Sequence, residues 1–241
     1  MSGRRVSCAS RVLYMLLLLA VIAAGAYALY VTGVIAPKGV PLEDLRRVLL
    51  VAASPDDQGD MVGQIIVVAD TTKNPVALEA LSPALEVSIP GTTYSQLGDA
   101  YPFGGGRAVA EALARARGGA PLPYVVIGPD MLSALVASAD GGLSVTMPTA
   151  MSVFDGERLF TFVPGPRTLN GAQLQAVLKG APYLPPTERE MLDAELGREL
   201  AILLAGHRPG LAAEAARGTL ATDLSVEALE RLQERLATIE R

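Results

Sequence analysis

The stretch Val48-Leu49-Leu50-Val51-Ala52-Ala53 is a continuous apolar run, and Ile65-Ile66-Val67-Val68-Ala69 is a second one a few residues further on. Short apolar runs bounded by turn residues are typical of strands that are buried on both faces. The residues between them, from Ser54 to Asp60, include Pro, Gly and three Asp and indicate a turn. The two runs therefore predict two buried strands, and Val76 to Leu81 predicts a third that forms a hairpin with the second.

Strand and helix patterns alternate downstream of these runs. Arg107 to Arg117 is an Ala-rich helical segment, and Asn170 can cap a helix that runs to Lys179. Asp155-Gly156 is a hairpin turn signal, which places Met151 to Phe154 against Leu159 to Val163. Because strands alternate with helices, the sequence predicts an α/β layered domain.

The segment before the first strand has the character of a membrane span. No charged side chain occurs from Val12 to Pro37, and a helix needs about 20 apolar residues to cross a bilayer core. Three arginines and no acidic residue precede the run, so the positive-inside rule places the amino terminus in the cytoplasm. The sequence predicts a cytoplasmic arm (1–11), a transmembrane signal anchor (12–36), a stalk (37–46) and an extracytoplasmic domain. A cleaved signal peptide is the alternative, because Ala26-Tyr27-Ala28 resembles a cleavage site.

The extracytoplasmic part is acidic, because the three arginines of the arm leave 17 of the 20 basic residues against 25 acidic ones, a formal charge of −8. Nucleic-acid binding depends on clustered Lys and Arg, so no nucleic-acid partner is expected. Cys8, the only cysteine, lies in the arm, which excludes disulfides and cysteine metal sites from the domain. His207 is the only histidine, which excludes a two-histidine metal site, and its Gly/Pro-rich surroundings argue against a Ser-His triad.

The carboxyl-terminal residues differ in character from the predicted domain at 47–206. Residues 207–241 are predicted to be a linker followed by an amphipathic helix, which Ser225 caps. Five apolar residues from Val226 to Ile239 form one stripe along that helix. The stripe either docks on its own domain or gives residues 225–241 a contact surface for a partner protein or a second copy.

The order of local motifs resembles that of the LytR-CpsA-Psr family of cell-envelope proteins, over about Val48 to Leu204. The matching motifs are Val48-Leu49-Leu50-Val51, Ile65-Ile66-Val67-Val68, Ser88-Ile89-Pro90-Gly91, Asp99-Ala100-Tyr101-Pro102-Phe103-Gly104-Gly105, Tyr124-Val125-Val126-Ile127, Gly141-Gly142-Leu143-Ser144-Val145-Thr146-Met147-Pro148 and Leu169-Asn170-Gly171-Ala172-Gln173. The resemblance implies a three-layer α-β-α sandwich with a central mixed sheet and a deep pocket for a polyprenyl (pyro)phosphate lipid. Members of the family are thought to transfer glycopolymers from that lipid onto peptidoglycan, using magnesium and a cluster of arginines and aspartates.

Several charged positions of the family pattern carry uncharged residues in this chain. Gly63 stands where the family has an aspartate, and Leu81-Ser82-Pro83-Ala84-Leu85 stands where it has Ile-Pro-Arg-Asp-Thr. Gln96 replaces a lysine, and Lys179 and Arg189 are the two cations that stay in register. Phosphoryl transfer needs cations and metal-binding carboxylates around the phosphate. By this alignment no carboxylate pair remains in register to hold magnesium.

Four residues are predicted as phosphate contacts, namely Arg189, Lys179, Arg107 and Gln96. Arg107 is included because it follows Gly104-Gly105-Gly106 in the first turn of a helix, where free backbone amides can cradle an anion. The alternative there is a plain tight connection. No catalytic residue and no metal ligand is assigned, because the acidic loop of Asp56, Asp57 and Asp60 lacks calcium-loop spacing and is interpreted as a solvated loop.

Three hypotheses follow for a single-pass membrane protein of the bacterial cell envelope. The first is a non-catalytic relative that binds a polyprenyl phosphate lipid or a partner protein in cell-wall assembly. The second is an active phosphotransferase that attaches lipid-linked glycopolymers to peptidoglycan and uses Mg²⁺, with Lys179, Arg189 and Arg107 replacing the usual cluster. The third is a scaffolding subunit that acts through its C-terminal helix. The missing charges favour the first, so the sequence argues against enzymatic activity.

Overall fold

A mixed five-stranded sheet forms the centre of the fold. The computed structural model describes residues 45–56, 58–139 and 142–239. The strands of the sheet are β1 (Arg47–Pro55), β2 (Met61–Asp70), β3 (Ala77–Leu81), β4 (Tyr124–Ile127) and β9 (Leu220–Thr222). The strand order is β3-β2-β1-β4-β9, and among these neighbours only β1 and β4 are parallel. The two apolar runs of the sequence therefore form the middle strand and its antiparallel neighbour, and the predicted hairpin of the second and third strands is confirmed.

Helices flank this sheet on both faces. Side chains along β1 alternate between two apolar clusters, one on each face of the sheet. Leu50 belongs to one of them, here called the Leu50 cluster, and Leu49 to the other, the Leu49 cluster; both side chains are fully buried. The Leu49 cluster is closed by α1 (Gly105–Arg117), and the Leu50 cluster is closed by α2 (Pro129–Ser138), α3 (Gly171–Gly180) and α4 (Pro186–Gly206). A strand buried on both faces needs an apolar residue at every position, which explains the continuous run in the sequence.

Two small antiparallel sheets lie outside the central one. β5 (Leu143–Met147) pairs with β8 (Gly165–Leu169), and β6 (Met151–Phe154) pairs with β7 (Leu159–Phe162). The predicted turn at Asp155-Gly156 is confirmed, and the Asp155 carboxylate stabilises it by accepting hydrogen bonds from the backbone amides of Glu157 and Arg158, both at 2.9 Å. At the hairpin end Phe154 and Leu159 lie opposite each other and are mostly exposed.

The junction between α3 and α4 determines where the two predicted phosphate-binding cations lie. Asn170 caps α3 as predicted, in a capping box with Gln173 whose two hydrogen bonds are both 2.9 Å long. Lys179 lies in the last turn of α3, and a single turn of 3₁₀ helix (Ala181–Tyr183) leads directly into α4. Arg189 lies in the first turns of α4. The short connection therefore brings the end of one helix and the start of the next together.

The carboxyl-terminal segment belongs to the same compact unit as the rest of the described chain. It contains α5 (Leu211–Arg217), the edge strand β9 and α6 (Val226–Leu236). Leu229, Leu232 and Leu236 of α6 are buried in the Leu50 cluster. The stripe therefore packs against its own domain, which is the first of the two alternatives that the sequence left open.

None of the helices in the described ranges combines the length and apolar character that a membrane crossing requires. The predicted arm, signal anchor and most of the stalk (residues 1–44) lie outside the described residues.

Candidate functional site

A cavity of about 210 Å³ lies where the β1–β2 loop, the segment after β3, a 3₁₀ helix (Gly98–Phe103) and the α3–α4 junction meet. Its lining is mostly polar where the β1–β2 loop contributes and basic where the α3–α4 junction contributes. The lining residues are Asp56, Gln58, Val62, Gly63, Gln64, Pro83, Gln96, Gly98, Asp99, Lys179, Pro182 and Arg189. Residues that are up to 133 positions apart in the chain thus face one small volume, which makes this cavity the candidate site.

Three of the four predicted phosphate contacts line this cavity, namely Gln96, Lys179 and Arg189. The structure therefore brings together the two cations that kept the family register. Arg107 is not among the lining residues. It lies in the first turn of α1, where its Nε donates a hydrogen bond to Glu111 at 2.8 Å, and its side chain is 78% exposed.

The glycine turn before α1 has a packing explanation. A Cβ added at Gly106 would lie only 2.4 Å from Cδ2 of Tyr124 and 2.5 Å from Cγ2 of Val126. Glycine is required there because the helix starts in close contact with β4. The plain tight connection therefore accounts for this turn without an anion.

Two carboxylates, Asp56 and Asp99, also line the cavity, at positions outside the register of the family's aspartates. Asp99 lies in the first turn of the 3₁₀ helix, and Asp56 directly follows the last residue of β1. Burial raises the pKa of Asp99 above its ordinary value, and the negative charge of Asp56 raises it further. Asp56 and Asp99 do not occupy the family's aspartate positions, so the register of the family motifs did not indicate this pair.

Two carboxylates are too few to form a magnesium site from protein ligands alone, so a phosphate ligand would have to complete it. Among the described residues no three His, Cys, Asp or Glu side chains are grouped closely enough to hold a metal ion by themselves. Mg²⁺ is usually bound by one or two carboxylates together with the phosphates of a substrate. The like-charge interaction between Asp56 and Asp99 is the kind that a bound cation relieves. Asp56 and Asp99 thus place two carboxylates beside the cations, and Oδ1 of Asp56 also accepts hydrogen bonds from the backbone amides of Gln58 at 2.8 Å and Asp60 at 2.9 Å.

A β-bulge places another polar side chain at the cavity. In the β1–β2 ladder Ala52 pairs with Ile65 and Ala53 pairs with Gly63, so Gln64 has no partner in β1. Bulges of this kind redirect side chains and are common beside functional sites. Gln64 is almost completely buried and lines the cavity. No sequence signal marked it, because a register shift depends on the pairing of two strands.

The buried pair behind the cavity consists of Arg189 and Asp193, one helical turn apart on α4. The distance from Arg189 Nε to Asp193 Oδ2 is 3.8 Å, and the side chains are 15% and 8% exposed. Burial raises the pKa of Asp193 to about 6, against the opposing positive charge of Arg189 and a hydrogen bond from the Ser82 side chain. Arg189 therefore lines the cavity and at the same time interacts with Asp193, whose ionised form is disfavoured by burial.

Two glycines, Gly63 and Gly98, pack closely against each other in the wall of the cavity. We expect Gly98→Ala to lower the free energy of unfolding by about 1–3 kcal/mol, the usual cost of overpacking. The added Cβ would lie 2.7 Å from the carbonyl oxygen of Gly63 and 3.3 Å from Cβ of Pro83, so the cavity wall must shift. Thermal unfolding measures the effect, with Gly119→Ala as a control because nothing lies within 4 Å of its added Cβ. Equal melting temperatures for the two variants would contradict this prediction.

A second, larger groove shares Lys179 with the cavity. It has a volume of about 610 Å³ and follows the β6–β7 hairpin and the α3–α4 junction. Its lining residues are Ala150, Met151, Ser152, Val153, Phe154, Asp155, Gly156, Lys179, Gly180, Tyr183 and Leu184. Lys179 lines both the cavity and the groove, so a ligand with a charged group at Lys179 can extend along a surface that includes Met151, Val153 and Phe154.

This architecture is the fold of the LytR-CpsA-Psr proteins, and the resemblance seen in the sequence is confirmed at the level of the fold. The match to the LytR-Csp2A-Psr enzyme from Actinomyces oris covers 83% of this chain and 79% of that one, with 14% identity and a TM-score of 0.57. B. subtilis TagV matches over 79% of this chain and 78% of its own, with 16% identity and a TM-score of 0.55.

A structure of TagT bound to LIIa-WTA is also similar, over 83% of this chain and 77% of that one, with 18% identity and a TM-score of 0.51. No protein-family model and no curated protein matches this sequence. At such low identities the similarity shows the fold alone, and the site must be judged from the residues present in this chain.

Proposed function

We propose that this protein binds the phosphate or pyrophosphate headgroup of a polyprenyl-linked cell-wall glycopolymer precursor in the cavity beside Lys179 and Arg189. The observation that carries the proposal is the convergence of these two cations and Gln96 on one volume from three separate segments. An arginine offers a two-pronged donor to phosphate oxygens, and a lysine adds a compact positive charge. The similarity to TagT bound to LIIa-WTA supports the same class of ligand.

The cavity and the adjoining groove match two different parts of such a ligand, the phosphate headgroup and the isoprenoid chain. At about 210 Å³ the cavity is below the usual size of a pocket for a drug-sized ligand, so it can take a phosphate group but not a long isoprenoid. The groove along the hairpin includes Lys179 and presents two aromatic side chains, Phe154 and Tyr183, which are 64% and 76% exposed. We therefore place the first isoprene units in the groove.

The test uses full-length protein in detergent and farnesyl pyrophosphate as the probe. We expect it to bind at least about tenfold more tightly than inorganic pyrophosphate, because each buried CH₂ contributes about 0.8 kcal/mol. Farnesol, which lacks the headgroup, serves as the second comparison and should bind weakly. Isothermal titration calorimetry measures all three affinities. If farnesol binds as tightly as farnesyl pyrophosphate, the cations do not select the ligand and the proposal is overturned.

A second candidate function is glycopolymer phosphotransfer, and the carboxylate pair favours it. When bound by Asp56 and Asp99, Mg²⁺ would neutralise charge on the phosphate oxygens. We expect Mg²⁺ to tighten binding of farnesyl pyrophosphate about tenfold in the wild type and not in Asp99→Asn, the loss corresponding to about 1.4 kcal/mol. Asp130→Asn, a surface carboxyl at the start of α2, is the matched control. If Mg²⁺ acts equally on all three proteins, the cation does not bind at this pair.

The segment at residues 12–36 supports an envelope location for this activity. We propose that it anchors the protein in the cell membrane with the amino terminus in the cytoplasm, as its uncharged length and preceding arginines indicate. The domain then lies on the extracytoplasmic side, where polyprenyl-linked precursors present their headgroups.

A further inference from the structure

The Arg189–Asp193 pair is incompletely satisfied, and this is the feature that carries the inference. Within the described part of the chain, Arg189 Nε and Asp193 Oδ2 are buried atoms without a hydrogen-bond partner. Their separation of 3.8 Å is too long for a hydrogen bond between them. Buried polar atoms are normally paired, and exceptions often belong to functional sites. Arg189 is therefore attracted by Asp193 without being tied to it.

The charges around Asp193 come mainly from its own helix. Arg189 favours the ionised carboxylate, whereas Glu190 disfavours it. From the segment after β3, the Ser82 side chain contributes a hydrogen bond that favours the ionised form. The other acidic groups on elements packed against α4 include Asp70 on β2, Glu79 on β3, Asp130 on α2 and the acidic residues of α6, and none of them contributes to the shift at Asp193.

An anion bound at Arg189 changes this balance. The bound phosphate would compete for the guanidinium and add a negative charge close to the buried carboxylate, so the protonated form of Asp193 becomes more favourable. With a pKa of about 6 in the free protein, Asp193 is mostly ionised at neutral pH and can take up a proton when that pKa rises. Affinity should then increase as the pH falls from neutral towards about 6 and level off below it.

We propose that Asp193 is the positioning residue of Arg189 and that it takes up a proton when a phosphate or pyrophosphate group binds in the cavity. This inference rests on the proposed headgroup binding and adds a coupling between ligand binding and proton uptake. When ionised, Asp193 holds the guanidinium back along α4. When Asp193 is neutral, it no longer competes with the ligand phosphate for the positive charge of Arg189.

The experiment counts protons during binding to the full-length protein in detergent. The probe is P1,P2-dimethyl pyrophosphate, a diester whose acidic groups stay ionised near neutral pH, so any proton taken up from the buffer is bound by the protein. Calorimetric titrations at about pH 7 in buffers of different ionisation enthalpy give the number of protons bound per ligand. We expect net uptake in the wild type and clearly less uptake in Asp193→Asn. The gain in affinity between about pH 8 and pH 6 should be about fivefold larger in the wild type than in Asp193→Asn.

Two further variants separate this role from a structural one. Asp130→Asn removes an exposed carboxyl that does not contribute to the pKa shift of Asp193, so it should leave the proton uptake unchanged. Ser82→Ala removes the hydrogen bond that lowers the pKa of Asp193, so the affinity profile should move to higher pH even if Asp193→Asn folds poorly. Equal proton uptake in wild type and Asp193→Asn, or an unmoved profile in Ser82→Ala, overturns the inference alone. Absence of saturable probe binding to the wild type overturns both the inference and the proposed function.

Discussion

Deletion of Ser225–Arg241 is expected to prevent the domain from folding. The deletion removes Ala228, Leu229, Leu232 and Leu236, each at most 1% exposed, from the cluster that closes one face of the sheet. Truncating one buried leucine to alanine costs about 2–5 kcal/mol, and the whole stability of a domain is about 5–15 kcal/mol. Losing several such side chains together therefore exceeds what the remaining structure can tolerate.

Point variants test the same contact more finely. We expect Leu232→Ala to lower the free energy of unfolding by about 2–5 kcal/mol, as measured by denaturant unfolding of the full-length protein. Val226→Ala is the matched control, because that apolar side chain lies on the same helix but is 55% exposed. A scaffolding helix that is free to bind a partner predicts the opposite result, with little change in stability after either the deletion or the substitution.

The double variant Lys179→Ala/Arg189→Ala is expected to weaken binding of farnesyl pyrophosphate about a hundredfold or more. Each charge-assisted hydrogen bond contributes about 1.5–3 kcal/mol, and about 1.4 kcal/mol corresponds to a tenfold change in affinity. Both cations line the same cavity, so their removal leaves Gln96 as the remaining predicted contact. Calorimetric titration of the full-length protein measures the loss.

A control with the same change in net charge is available in this chain. Arg107→Ala/Arg231→Ala removes two cations that form surface ion pairs with Glu111 and Glu234 and do not line the cavity. Exposed pairs of this kind contribute little to stability, so the control protein should fold normally. It should also bind the probe within about twofold of the wild type, because screened charges at a distance act weakly. A comparable loss of affinity in the control would indicate a general effect of charge and not a site at Lys179 and Arg189.

The local elements of the site were predictable from sequence because each depends on residues close together in the chain. The apolar runs predicted β1 and β2, Asn170 predicted the start of α3, and Asp155-Gly156 predicted the hairpin. Register with the family motifs also picked out Lys179 and Arg189. By contrast, Arg107 was selected from a local glycine turn, and in the structure its side chain forms an ion pair with Glu111 while the adjacent Gly106 packs against β4.

The sequence by itself determined the strands, the helix starts, the uncharged segment at 12–36 and the acidic charge of the domain, because periodicity and turn chemistry act over a few residues. Only the tertiary structure decided that Asp99 and Asp56 share a cavity with the two cations, that a bulge directs Gln64 into it, and that α6 covers the core. These features depend on the register between strands and on contacts between segments far apart in the chain. Such contacts are set by the packing of the whole sheet and its helices, which no local pattern encodes.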